Sequence, residues 1–302
     1  MNHLVAIVGP TGIGKSRLAL RLARDFSGEI VSADSRQVYR LMDIGTAKPT
    51  KQERSLVPHH LIDIISPDED FNLARYQQLA GEAISDIQKR GKLALLVGGS
   101  GLYLWSVLEG WGIPEVPPDL QLRRELQEEA ARNGVDKLYS ELVSIDPLAA
   151  EKIDPRNVRR VIRALEVYRG KKIPFSQLQK KGPGHSALII GLTADRAELY
   201  RRVDLRVEQM VKQGLVEEVK KLVEMGYGLH LPSMSGIGYK QIGLFLRGEL
   251  TLKAAVEKIK TETHRFVRRQ YNWFRLNDNR IRWFDIQREI ETEISPLVAG
   301  FG

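Results

Sequence analysis

MNHLVAIVGPTGIGKSRLAL, residues 1–20, sets the fold class. A short apolar run, Leu4 to Val8, passes directly into GPTGIGKS (9–16), which has the form G-x-x-x-x-G-K-[ST], and a helical pattern follows. Gly9, Gly12 and Gly14 allow the tight turns that aim backbone N–H groups at phosphate oxygens, and Pro10, Thr11 and Ile13 complete the loop. Lys15 supplies a point charge, the Ser16 hydroxyl can ligate Mg²⁺, and the helix that starts here adds its positive N-terminal end. Such a loop grips a polyphosphate without saying which molecule carries it.

Working outward, the same alternation of strand and helix recurs. EIVSAD (29–34) and KLALLVGG (92–99) read as short apolar strands, and ALIIGLT (187–193) as a fourth. Helical periodicity covers 72–90, about 196–225 with an interruption near Gly214, and about 251–276, and IRWFD (281–285) fits a last strand. Alternating strands and helices predict an α/β fold with a mostly parallel, P-loop NTPase-like sheet. Pro114, Pro117 and Pro118 mark a break, 119–168 is helical throughout, and GKKIPFSQLQKKGPGHS (170–186) reads as a loop. The expected organisation is a core of 1–112 and 187–302 with an all-helical insertion at 113–186.

Composition narrows the function. There is no Cys, which excludes disulfides and thiolate metal sites and suits a reducing cytoplasm. No apolar run approaches the ~20 residues of a membrane span, and Leu4 to Val8 is too short for a signal peptide. The net charge of +8 is unevenly spread: Lys152 to Lys181 holds ten Lys or Arg against two acids, and 251–282 nine against three. The remainder is net acidic, so two concentrated basic stretches stand out, the pattern expected of a nucleic-acid binder or, more blandly, of two solvated helix faces.

Three stretches carry the chemistry. In ordinary P-loop hydrolases an Asp ending a second apolar strand holds Mg²⁺. Here LALLVGGSG ends in glycines and Ser100, and the strand that ends in an acid is EIVSAD, at Asp34. Asp34 is therefore a metal-binding acid in an unusual place, a base for a nucleophile, or, with Ser35, a cap for a following helix. The missing acid argues against hydrolysis and for a polyphosphate that departs as a leaving group. Ser100 can donate to a phosphate or cap a helix. Arg159 and Arg163 lie four apart on a helix, with Arg156 and Arg160 beside them, and Arg202 and Arg206 are four apart on another. HRFVRRQYNWFR (264–275) interleaves Arg with aromatics and suits stacking on unpaired bases, although Phe266, Trp273 and Phe274 fit the core face of a helix better. HHLID (59–63) reads as loop without a third zinc ligand.

GPTGIGKS, SADSRQVYR, DIGTAKP, HHLID, GGSGLYL, RALEVY, LRVEQMVKQGLVEEV, GIGYKQ and RRQYNWFR stand in the order of the bacterial tRNA dimethylallyltransferases, and the resemblance covers nearly the whole chain. It implies transfer of a dimethylallyl group from dimethylallyl diphosphate to N6 of the adenine on the 3′ side of the anticodon, in tRNAs reading codons that begin with U. Mg²⁺ assists. The resemblance also assigns residues. Gly9 to Ser16, with Lys15, look like the diphosphate grip, Asp34 the base, and Ser100 stands where the family usually has Thr. Arg206 resembles an arginine at the diphosphate, with Arg202 its rival. Asp34, Ser35, Arg36 and Gln37 resemble a tRNA-contacting stretch, as do Arg159, Arg160, Val161, Ile162 and Arg163; Ser100 and Arg123 resemble further tRNA contacts. The implied partner is the tRNA anticodon stem-loop, which suits a cytoplasmic monomer. Rival readings are prenyl transfer to free AMP or ADP, a P-loop nucleotide kinase, and a non-catalytic RNA binder.

Overall fold

The computed structural model describes residues 4–114, 116–178 and 181–301. Two compact units emerge, one of Met1–Leu108 with His185–Gly302, the other Glu109–Gly184. The first holds β1 (Leu4–Val8), α1 (Lys15–Asp25), β2 (Glu29–Ala33), α2 (Lys51–Leu56), β3 (His59–His60), α3 (Leu73–Lys89), β4 (Ala94–Gly98) and α4 (Gly101–Leu108). The second holds α5 (Leu120–Asn133), α6 (Val135–Ile145), α7 (Pro147–Ala150), α8 (Val158–Lys171) and α9 (Phe175–Leu178). The chain then returns to the first unit as β5 (Leu188–Thr193), α10 (Arg196–Lys212), α11 (Leu215–Glu224), a 3₁₀ turn at Ser233–Ser235, α12 (Tyr239–Leu246), α13 (Leu252–Trp273), β6 (Ile281–Asp285) and α14 (Glu291–Ala299).

The six strands are parallel in the order β3-β2-β4-β1-β5-β6. Helices cover both faces of such a sheet, so its inner strands must be apolar on both sides, as the fully buried LVAIV and ALLVG are. This order creates the site. β1 lies inside the sheet, and the chain runs first to one side of it and later to the other. The loops that leave β1, β4 and β2 therefore open at one carboxyl edge, where ligands of such sheets bind. The phosphate loop, the Gly98-Gly99-Ser100 turn and Asp34 thus come from three neighbouring strands.

The structure settles several local details. His59–His60 is an edge strand paired with Ile30 and Val31, not loop, and Asp34-Ser35 starts a turn rather than capping a helix. The stretch read as loop after 170 contains the end of α8 and the short helix α9. Within the helical unit the Gly110 carbonyl accepts the Gly182 N–H at 2.6 Å. Among elements the pattern gave no warning of, α2 is fixed by a capping box between Thr50 and Glu53, while α12 and α14 are short.

The helical unit has its own core, built on Leu126, Leu138, Leu142, Val161, Ile162 and Leu165. Inside it Glu166 is 1% exposed. Its carboxylate accepts from Arg123 at 2.8 and 2.9 Å, from Arg163 at 2.6 Å and from the Asp119 N–H at 2.8 Å. Burial pushes this carboxyl up, but those hydrogen bonds outweigh it and hold it below the ordinary range.

Candidate active site

A cleft of about 560 Å³ opens at the carboxyl edge of the sheet. Its floor is the phosphate loop. Gly9 has φ 136° and a Cβ there would lie 2.5 Å from the Leu192 carbonyl, so the close approach of the loop to β5 needs glycine. Gly12 and Gly14, at φ 81° and 104°, turn the chain into α1. Lys15 folds back over the loop, donating from Nζ to the Gly9 and Pro10 carbonyls at 2.9 and 2.8 Å. Burial, then the neighbouring Arg206, push its ammonium down to about 7 against the opposing pull of Asp34. Thr11, Lys15 and Ser16 line the cleft, and Ser16 is exposed at its floor.

Asp34, Ser100 and Arg206 line the same cleft. Asp34 is held in an Asx turn, its Oδ1 accepting the Arg36 N–H at 2.8 Å. Arg202 and Arg206 differ in their surroundings. Arg206 faces the cleft, close enough to feel the Asp34 charge, whereas Arg202 pairs with Glu198 at 2.6 Å on α10. Arg36 and Gln37 border the cleft but are also ties: Arg36 donates to the Pro232 carbonyl at 2.6 Å, and Gln37 takes the Ser32 hydroxyl at 2.9 Å while donating to the Thr46 and Ala47 carbonyls. The cleft has an apolar side as well, formed by Val203, Val207 and Met210 of α10 with Ile259 and Phe266 of α13.

The candidate RNA contacts separate into two groups. Arg159 and Arg160 are exposed on the helical unit. Arg123 and Arg163 are bound to Glu166, Arg163 also donating to the Pro114 and Val116 carbonyls, and the Val161 and Ile162 side chains are core. Arg159 and Arg163 therefore do not form one outward row. On α13, Phe274 is core as expected, Phe266 is half-buried at the cleft, and Trp273 is 42% exposed there instead of buried, lying against Gly101. His59 bonds the Val57 carbonyl and His60 pairs with Glu29, both tying the sheet edge.

Sequence reasoning passed over two features. Glu218 accepts the N–H groups of Asp43, Ile44 and Gly45 at 2.9, 2.7 and 3.1 Å and the Tyr239 hydroxyl at 2.6 Å, so one carboxylate of α11 fixes the 43–47 loop that walls the cleft. Gln270 of α13 bridges the phosphate loop to the turn after β4. Their backbone partners lie more than 170 residues away in the chain, so no local signal marks either residue.

An all-parallel sheet, a glycine loop with its lysine, and a cleft that sets cationic groups and a carboxylate beside an apolar side define a P-loop protein. Comparison with known proteins agrees. Residues 37–277 match the family model described as IPP transferase, and residues 2–64 that described as isopentenyl transferase. A tRNA dimethylallyltransferase of Roseiflexus castenholzii is 55% identical over 91% of this chain and 90% of its own length; one of Dehalococcoides mccartyi is 50% identical over 99% and 92%. The crystal structure of the full-length tRNA isopentenylpyrophosphate transferase of Bacillus halodurans superposes with a TM-score of 0.73 at 42% identity, covering 100% of this chain and 97% of that one. A eukaryotic dimethylallyltransferase acting on tRNA superposes at 0.80 with 29% identity, over 98% of this chain and 77% of that one. The chain belongs to the tRNA dimethylallyltransferase family.

Proposed function

We propose that the protein transfers a dimethylallyl group from dimethylallyl diphosphate to N6 of the adenine 3′-adjacent to the anticodon, in tRNAs reading U-starting codons, with release of diphosphate. The observation that carries this reading is one cleft that faces Lys15 and Arg206 toward Asp34, with an apolar side between α10 and α13. An adenine amine is a poor nucleophile, because its lone pair is delocalised into the ring. Holding it in line with the allylic carbon supplies effective molarity. As the C–O bond to diphosphate breaks and the N–C bond forms, charge grows on the departing oxygens. Lys15, Arg206 and the loop N–H groups meet that charge. Asp34 takes the amine proton, and Ser100 orients a bridging oxygen or the base. The adenine must leave its stack to enter the cleft. Exposed Arg159 and Arg160 on the helical unit, and Arg265, Arg268 and Arg269 on α13, supply contacts for the phosphates of an anticodon stem-loop.

The donor set fits Mg²⁺. Ser16 offers a hydroxyl oxygen at the mouth of the loop, and among the described residues no group of three His, Asp or Glu forms a dedicated cage. A Mg²⁺ would therefore be held by Ser16 together with diphosphate oxygens, the usual arrangement for this ion. Its chemistry there is neutralisation of charge on the leaving group. We read the protein as a cytoplasmic monomer; among the described residues no helix is long and apolar enough to cross a membrane. The test is incubation with labelled dimethylallyl diphosphate and either unmodified tRNA or AMP. Label is expected on tRNA. Label on AMP alone overturns the reading.

A further inference from the structure

Gln270 sits where α13 crosses the phosphate loop, and it is 3% exposed. Its amide is used at both ends: Oε1 accepts the Thr11 N–H at 2.9 Å, and Nε2 donates to the Gly99 carbonyl at 2.9 Å. The orientation is unambiguous, since a peptide N–H can only donate and a carbonyl can only accept. A residue in this place must reach both partners and offer one donor and one acceptor. Glu lacks the donor, Lys the acceptor, and Asn is a methylene too short. The glycines opposite are shaped to it: a Cβ on Gly99 would collide with the Gln270 amide nitrogen. The turn after β4, where P-loop hydrolases place an acid, is thus tied to the loop by a neutral amide that adds no negative charge beside a diphosphate.

The same helix also lines the rest of the cleft. Thr263, Phe266, Arg269 and Trp273 line it alongside Gln270. We propose that Gln270 is a positioning residue: it clamps the phosphate loop and the Gly99-Ser100 turn to α13, so that the donor's diphosphate and the groups that meet the acceptor are held in one frame. This rests on the function proposed above. Its consequence is specific. Loss of the clamp loosens the loop that grips the leaving group while leaving the RNA-facing surface intact.

Three variants test it. Gln270→Glu keeps the acceptor for Thr11 and loses the donor to Gly99. Gln270→Met keeps the bulk and loses both bonds without adding charge. Gly99→Ala retains the glutamine but displaces its side chain. Inorganic diphosphate binding is measured by calorimetry, and donor KM, RNA KM and kcat by steady-state transfer, on preparations whose melting confirms folding. Folded variants are expected to bind diphosphate about tenfold more weakly and to lose about tenfold or more in kcat, with RNA KM within about twofold of the parent. Two results overturn the proposal: diphosphate affinity and kcat within twofold of the parent in a folded variant, or a change confined to RNA KM. The diphosphate arm needs no turnover, so failure of the parent to transfer label counts against the proposed function and leaves the clamp to be judged by binding alone.

Discussion

The phosphate loop makes a quantitative prediction about pH. In the ligand-free protein the Lys15 ammonium is pushed down to about 7 by burial and by Arg206. A bound diphosphate places negative charge beside it and returns it toward the ordinary lysine value of about 10.4. The bound state therefore holds more protons than the free state, and binding must weaken as pH rises through the window between these two values. Near pH 7 about half of the free molecules carry a charged Lys15, and at pH 9 about one in a hundred, so diphosphate affinity should fall roughly fifty-fold over that interval. Well below pH 7 the lysine is charged in both states and contributes no further slope. Titration calorimetry with inorganic diphosphate in two buffers of different ionisation enthalpy reads the coupled proton directly. Uptake should be about half a proton at pH 7 and about nine-tenths at pH 8. Arg206→Met should weaken binding at neutral pH, through loss of a cation, yet move the alkaline fall to higher pH, because the charge depressing Lys15 is gone. A Kd that is flat from pH 7 to 9, with no proton uptake at pH 8, would refute the reasoning and mean that Lys15 is fully charged in the free loop.

Asp34→Asn keeps an acceptor for the Arg36 N–H, so the turn should survive; transfer is expected to fall about 10²–10⁴-fold while diphosphate affinity stays within several-fold. Transfer near the parent rate would remove Asp34 as the base. Glu166→Ala leaves Arg123 and the Asp119 N–H without this acceptor, leaves Arg163 only its bonds to the Pro114 and Val116 carbonyls, and should cost the helical unit about 3 kcal/mol, read as a lowered urea midpoint. Because the Glu166 carboxyl is held low, its contribution is fully present above the ordinary glutamate range and is lost as pH falls below that range through the lowered folded-state value, so parent and variant should converge in acid. Neutralising Arg159 and Arg160, the exposed pair, should weaken tRNA binding and flatten its salt dependence by one or two phosphate contacts, whereas an unchanged slope places them outside the interface.

The sequence by itself determined what local chemistry can encode. An apolar five-residue run feeding GPTGIGKS permits only a strand, an anion-gripping loop and a helix. The missing acid after LALLV and the Asp at the end of EIVSAD already argued against a P-loop hydrolase. Charge counting located the basic stretches but could not tell which arginines are solvent-facing. That depended on where Glu166 lies: a single buried carboxylate turns Arg123 and Arg163 inward and leaves Arg159 and Arg160 outside. That Arg206 lines the cleft while Arg202 pairs with Glu198, four residues before it on the same helix, was likewise not legible in the spacing. Only the tertiary structure could show that strand order β2-β4-β1 brings Asp34, Ser100 and Lys15 to one edge, or that Gln270 and Glu218 hold the walls. Those residues act across separations of more than 170 positions, where pattern and propensity carry no information. Their role follows from a rule that applies after folding: every buried N–H and carbonyl at the cleft must find a partner, and an amide or carboxylate from a distant helix provides it.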